Sequence, residues 1–305
     1  MREDRGDSLW REALTFSPFP RRMTDSLQPI LCIGALYTGS ERGLASDILA
    51  SRARGFTPVT ICTAIVVASH DAVTDLTEVP VDTVYSQLEH VHQAVDIAGV
   101  RIGILGSDRN AKAVLEWASG VDVPVVLELV ASGPSGETVL PARGIDVVAE
   151  HLAVADLVLV SRQDAELVTG GEITSLDDAQ VAAQRFANRG AKSVLIDCGV
   201  LPARFYDAAD DPGGDSAASP LASYLYFDGE DFALFEVPSQ SAPIGRESLF
   251  AITAVARLSQ GDSIEVALQA AVRETVEATR HATPIAGGEP ALNYAWRLRE
   301  GTSGT

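Results

Sequence analysis

Six continuous apolar runs, each separated from the next by an amphipathic stretch, constrain this chain more than any other feature. They fall at 29–34, 58–67, 101–105, 124–130, 155–160 and 193–197. A strand with one wet face alternates apolar and polar residues; a strand covered on both faces is apolar throughout. The intervening stretches at 44–54, 81–94, 111–117, 145–152 and 176–188 carry helical periodicity. Strand and helix in alternation predict a mostly parallel sheet with helices on both faces, a three-layer α/β architecture. With 305 residues, 46% of them hydrophobic, the chain suits one large domain, or at most two small ones. We expect that domain over 28–305, preceded by an extension at 1–27, with Met23 near the start of the folded part.

After Gly199 the pattern changes. The Gly/Ser/Asp/Pro-rich stretch 208–219 predicts an exposed loop. Apolar runs at 224–227 and 232–237 flank Asp228-Gly229-Glu230-Asp231, which predicts an antiparallel hairpin at a sheet edge. Helices follow at 246–260 and 263–282, the second with Asp262 as its expected N-cap.

Charge and cysteine usage exclude several functions. The formal charge is −19, with two lysines, Lys112 and Lys192. Nucleic-acid binding needs clustered cations, so no nucleic-acid partner is expected. No apolar run approaches the roughly 18 residues of a membrane span. The first 22 residues mix both charge signs, unlike a signal peptide. Cys32, Cys62 and Cys198 lie in or beside apolar runs without metal-type spacing, which predicts buried thiols in a reducing, cytoplasmic setting. His90 and His92, two apart on a helix, face different ways and make no metal pair. His70 follows the second strand and reads as a solvated loop residue or one at a pocket mouth.

The ordered motifs resemble the hydroxymethylpyrimidine (phosphate) kinases of the ribokinase superfamily. The best-matching stretch runs over 55–106, from GFTPVTICTAIVVASHDAV to VRIGILGS, where Ile102-Gly103-Ile104-Leu105 stands for the family's Ile-Gly-Met-Leu. The close Gly287-Gly288-Glu289-Pro290-Ala291-Leu292-Asn293 is similar to the family's Gly-Gly-Pro-Leu-Asn. The resemblance implies a ribokinase-like fold, and transfer of the γ-phosphoryl of ATP, with Mg²⁺, to the hydroxymethyl group of a pyrimidine-like small molecule in thiamine-type metabolism. A homodimer is expected on analogy with the superfamily alone.

The same resemblance places the site residues and shows where this chain departs. The family's Gly-Thr-Gly-Cys/Asp turn, whose backbone N–H groups converge on phosphate at a helix N-terminus, is here Pro243-Ile244-Gly245-Arg246. Pro243 has no N–H, and Ile244 disfavours the conformations open to glycine. Arg246 stands at the position of the family's base and stays protonated near neutral pH. Glu247 is the candidate substitute base, but one helical step of about 100° points it away from Arg246's direction. The metal motif Asn-x-x-Glu is matched by Ser161 to Asp164, with Glu128 as a second acid. Asp164 has the competing reading of a helix cap. On the substrate side Gly34, Gly43 and Asp47 remain, while the family's Gln-Asn has become Ala68-Ser69. The family's Lys-Gly-Gly near the nucleotide is Asp197-Cys198-Gly199, an anion in place of a cation.

These departures fall on the base, the anion hole, the lysine, the metal motif and the substrate loop. Together they lead to the expectation of a kinase-like protein with lost or altered transfer, binding a small molecule or a partner protein without cofactor. The alternative is an active ATP- and Mg²⁺-dependent kinase acting on a hydroxymethyl pyrimidine or related alcohol.

Overall fold

The computed structural model describes residues 27–69, 72–201, 221–239, 243–284, 290–294 and 296. Expectations for the N-terminal extension up to residue 26, the loop at 208–219, His70, and Gly287, Gly288 and Glu289 lie outside the described residues.

Among the described residues nine strands form one sheet. They are β1 (Pro29–Thr38), β2 (Thr57–Ala68), β3 (Val73–Glu78), β4 (Gly99–Ile102), β5 (Val125–Leu129), β6 (Leu157–Ser161), β7 (Val194–Gly199), β8 (Leu221–Phe227) and β9 (Phe232–Pro238). Their spatial order is β3-β2-β1-β4-β5-β6-β7-β8-β9. The six strands from β2 to β7 in that order are parallel. β3 pairs antiparallel with β2 at one edge, and at the other end β8 pairs antiparallel with both β7 and the edge strand β9.

Helices cover both faces. Residues Leu31, Ile33, Leu127 and Val158 pack beneath α2 (Val81–Ala94), α3 (Asp108–Ala118), α4 (Ala142–Glu150), α5 (Arg162–Thr169) and α6 (Leu176–Asn188). Their strand neighbours Ile30, Cys32, Val126 and Leu157 pack against α1 (Leu44–Ala53), α7 (Arg246–Ser259) and α8 (Ile264–Arg280). Successive strand side chains point to opposite faces, so a run with both faces buried must be apolar at every position. Full burial of each such Leu, Ile or Val contributes about 1.5–3 kcal/mol, which makes both faces part of the core. No described helix is long and apolar enough to cross a membrane.

Several boundaries differ from the sequence reading. β1 continues to Thr38, where Leu36, Tyr37 and Thr38 pair with Ile65, Val66 and Val67; residues 35–38 are therefore strand and not loop. β3 is an addition. Its sequence VTDLTE is polar at four of six positions because it lies at the edge, and it pairs antiparallel with β2. β4 ends at Ile102, short of the expected 105. α3 begins at Asp108 because the Ser107 hydroxyl accepts from the Asn110 N–H. The N-cap of α8 is Ser263, whose hydroxyl accepts from the Val266 N–H. Asp262, expected in that role, is drawn instead to Arg257 at 2.5 Å.

Candidate active site

The C-terminal ends of β1, β4, β5, β6 and β7 meet the N-terminus of α7 along one edge of the sheet. In parallel α/β sheets this edge is where ligands bind, because loops leave the strands there and helix N-termini point at it. A cleft of about 1100 Å³, open mouth included, lies over β1, β4, β5 and β6. A second cavity of about 690 Å³ lies between β7–β8 and α7–α8. A third space, lined by Glu128, Ser161, Asp197, Arg246 and Glu247, joins them.

The floor of the cleft is an ion triad. Arg101 on β4 is buried, and its guanidinium fills the space that a Cβ on Gly103 would take. It reaches Asp47 of α1 at 3.4 Å and forms a close ion pair with Glu128 of β5. One cation faces two carboxylates in a dry setting, so compensation is incomplete. Burial, against the pull of Arg101, pushes the Glu128 carboxyl up to about 7. Asp47 is fully buried and is raised for the same reason. Asp47 therefore braces Arg101 beneath the cleft and is not among the residues lining it, which corrects its assignment to the substrate.

A second arginine is clamped in the same way. Arg246 opens α7, and its guanidinium lies 3.0 Å from Asp197 of β7 and 3.6 Å from Glu247. The two wrong-sign positions of the sequence reading thus meet each other. Arg246 turns toward β7, and the next helical step swings Glu247 over the cleft beside Tyr37, Glu128 and Asp164. The expectation that Glu247 would point elsewhere is corrected.

The α7 turn is largely closed to an anion. The Ile244 N–H donates to the Pro290 carbonyl (2.9 Å), and the Ile244 carbonyl accepts from the Leu292 N–H (3.0 Å). The Arg246 N–H donates to the Pro243 carbonyl at 3.2 Å. Gly245 adopts φ 90°, and the Tyr294 hydroxyl, donating to the Gly245 carbonyl at 3.2 Å, occupies the place of a Cβ there. Ile244 is therefore a bridge to the C-terminal strand, and Gly245 is the surviving element of the expected anion hole.

Asp164 lines the cleft, buried. The cap of α5 is Ser161, whose hydroxyl accepts from the Asp164 N–H at 3.1 Å and donates to the Asp164 carboxylate at 3.1 Å. The helix-cap reading of Asp164 shifts accordingly: Asp164 is the cap's partner in the first turn. Burial raises its pKa, with the hydroxyls of Ser132 and Ser161 opposing. Glu128 is committed to Arg101 and Asp164 to Ser161, and no three His, Cys, Asp or Glu side chains converge among the described residues. This donor set does not fit a resident metal.

The remaining candidates divide. Gly43 lines the cleft ahead of α1. Gly34 sits in β1, where an added Cβ would only touch the Arg101 guanidinium, at 3.6 Å, and it is not among the residues lining the cleft. Asp197 and Gly199 line the second cavity, the Gly199 N–H donating to Asp197 at 2.9 Å. Ala68 and Ser69 do not join any of these spaces. Ala68 pairs with Val73, and the Ser69 N–H donates to the Ala72 carbonyl, so both serve the turn into β3. Sequence reasoning missed Arg101, whose signal was a lone cation inside an apolar run. It also missed Tyr294 and Thr275, which carry no local signal.

A mostly parallel sheet sandwiched by helices, with its cleft at the C-terminal strand edge and a helix N-terminus beside it, defines a ribokinase-like small-molecule kinase fold. A pyridoxal kinase from Staphylococcus aureus, solved with AMP-PCP and pyridoxal, superposes with a TM-score of 0.75 at 22% identity, over 90% of this chain and 96% of that one. A phosphomethylpyrimidine kinase from Clostridium difficile superposes with a TM-score of 0.68 at 18% identity, over 83% of this chain and 99% of that one. The sequence profile of the phosphomethylpyrimidine kinases matches residues 38–293, and the chain belongs to that family. A hydroxymethylpyrimidine/phosphomethylpyrimidine kinase of Aquifex aeolicus is 25% identical over 268 residues, 87% of this chain and 99% of the relative.

Proposed function

We propose that this family member has kept a small-molecule cleft and has lost, or greatly reduced, phosphoryl transfer. The observation that carries the reading is the Arg246–Asp197 ion pair. Transfer needs a base at the acceptor hydroxyl and unopposed donors on the moving phosphoryl group. Here the guanidinium stands at the base position and cannot accept a proton. Its positive charge is met by two carboxylates, Asp197 and Glu247, so it offers a phosphate little net attraction. The N–H groups of Ile244 and Arg246 are already bonded within the fold. Loss of one such donor typically lowers a rate by about 10²–10³, and several losses compound.

The relatives' names point to a hydroxymethyl pyrimidine or a similar ring alcohol as the class of ligand. An active member would take ATP as donor, in keeping with the AMP-PCP complex of the pyridoxal kinase. Mg²⁺ would then have to come with the nucleotide, since the acids at the cleft are already committed. A homodimer in a cytoplasmic setting is part of this reading, by analogy with the superfamily.

The test is phosphoryl transfer from ATP–Mg²⁺ to 4-amino-5-hydroxymethyl-2-methylpyrimidine, read as ADP formed. We expect no turnover above background for the parent chain. We expect a measurable rise when polarity is exchanged in the double variant Arg246→Asp with Asp197→Lys. Turnover by the parent at about 1 s⁻¹ or faster, the ordinary range for kinases, would overturn the proposal.

A further inference from the structure

We infer that the uncovered sheet face at the C-terminal ends of β1 and β2 is where a second copy of this chain docks. Leu36, Ile65 and Val67 are 44%, 42% and 43% exposed. Register places them together, with Leu36 beside Ile65 and Thr38 beside Val67. On β3, Thr77 and Asp75 extend the same face next to Ile65 and Val67, and both are exposed. The reverse face of these strands is closed by Ala35, Ala64 and Val66, all buried. Residues 64–67 are therefore apolar on both sides, the pattern of a strand covered twice, while the single chain covers them once. Contiguous exposed apolar surface of this kind marks an interaction site.

The charges around this strip select a copy of the same chain. Ile30, Cys32 and Leu36 fall on one face of β1 by its two-residue alternation, and Cys32 meets Ser51 of α1, so α1 lies on the same side. Its residues Ile48 and Leu49 are exposed, and Arg52, also exposed, follows one turn after Ile48. The Gly55 N–H donates to the Arg52 carbonyl just before β2 begins, which sets Arg52 near the start of β2. Asp75 pairs with Val67 near its end. Neither charge has an ion-pair partner among the described residues. An apolar strip with an acid at one end and a base at the other complements itself after a half-turn, as a two-fold interface requires. Elsewhere a chain of net charge −19 repels its own copy. The docking face deepens the homodimer part of the proposal above and is independent of the loss of transfer.

The experiment is sedimentation equilibrium of the full chain at micromolar concentrations, with Tm recorded for every variant. The parent is expected to be a dimer. Ile65→Asp enters a two-fold interface twice and is expected to raise the dissociation constant roughly 100-fold, with little change in Tm because Ile65 is exposed. Arg52→Asp and Asp75→Arg are each expected to loosen the dimer, and the two together to tighten it again. Both of those positions are exposed, so these variants keep the test open whatever Ile65→Asp does to folding. A monomeric parent overturns both this face and the proposed homodimer, and leaves the strip to another segment of this chain or to a different protein. A dimer that Ile65→Asp leaves intact overturns the docking face alone. So does a double charge variant no tighter than the looser of the two single ones. Phosphoryl transfer is read separately and bears on none of these outcomes.

Discussion

The guanidinium of Arg246 lies 3.0 Å from the carboxylate of Asp197, joining α7 to β7 across 49 positions of sequence. Each residue alone reads from the sequence as a charge opposite to the family's motif; together they neutralise one another. A second arginine, Arg101, is held between Asp47 and Glu128 on the other side of the cleft. In both cases one cation is matched by two acids, so the cleft is net acidic although it contains arginines.

The coupling between Arg246 and Asp197 is measurable. Both side chains are partly buried, at 22% and 29% exposure. Arg246→Ala and Asp197→Ala are each expected to cost about 1–2 kcal/mol, within the range of charge-assisted hydrogen bonds. The double variant should cost less than the sum, by about 1 kcal/mol. Urea denaturation of the four proteins gives the cycle, and strict additivity would show that the pair contributes nothing.

Breaking the buried triad is expected to be more severe. Arg101→Leu leaves two carboxylates without their cation in a dry site, with an expected loss of about 3–5 kcal/mol. Arg101→Lys keeps the charge and should lose less. Chemical denaturation at neutral pH checks the order of the two variants.

Glu128 links stability to pH. Its folded pKa, about 7, lies above its ordinary value of 4.5. Between those values the folded state holds a proton that the unfolded state has released, so stability falls as pH rises through that window. The contribution is present below about pH 4.5 and is lost by about pH 7, on the order of 1–3 kcal/mol. Glu128→Gln should flatten the dependence of Tm on pH between about 5 and 8. An unchanged slope in that variant argues that Glu128 titrates normally.

Gly245 is required by two independent constraints. Its φ is 90°, and the Tyr294 hydroxyl sits where a Cβ would go. Gly245→Ala is expected to cost about 2–3 kcal/mol, combining the left-handed penalty of roughly 1–2 kcal/mol with displacement of the tyrosine. In a Tyr294→Leu background the same substitution should cost less, because the steric part is gone. Thermal denaturation of the pair and of each single variant separates the two contributions.

The cap of α8 is also open to test. Ser263→Ala should lower stability by about 1 kcal/mol, as loss of an N-cap hydroxyl does. Asp262→Ala, which removes a partly exposed pair with Arg257, should lower it by less than about 1 kcal/mol. The reverse order would return the cap to Asp262.

Most of the sheet was legible in the sequence because burial on both faces leaves a local record. Runs such as 155–160 and 193–197 correspond closely to β6 and β7. β3 left no such record, since Thr74, Asp75 and Thr77 at an edge read as loop chemistry. At the site, resemblance to the family located the turn Pro243-Ile244-Gly245-Arg246, and its residue types predicted a poor anion hole. That its Ile244 N–H is bonded to Pro290 follows only from where the C-terminal strand docks.

The sequence by itself determined the layered α/β fold and the family, and it marked where residue types depart from the family's motifs. Each of these depends on residue type and on spacing along the chain. Only the tertiary structure decided that Arg246 faces Asp197, that Asp47 lies beneath Arg101 and does not line the cleft, and that Glu247 turns over the cleft. Such relationships depend on distances between side chains from separate strands and helices. Electrostatic energy varies with those distances and with local burial, and neither is written in the order of residues.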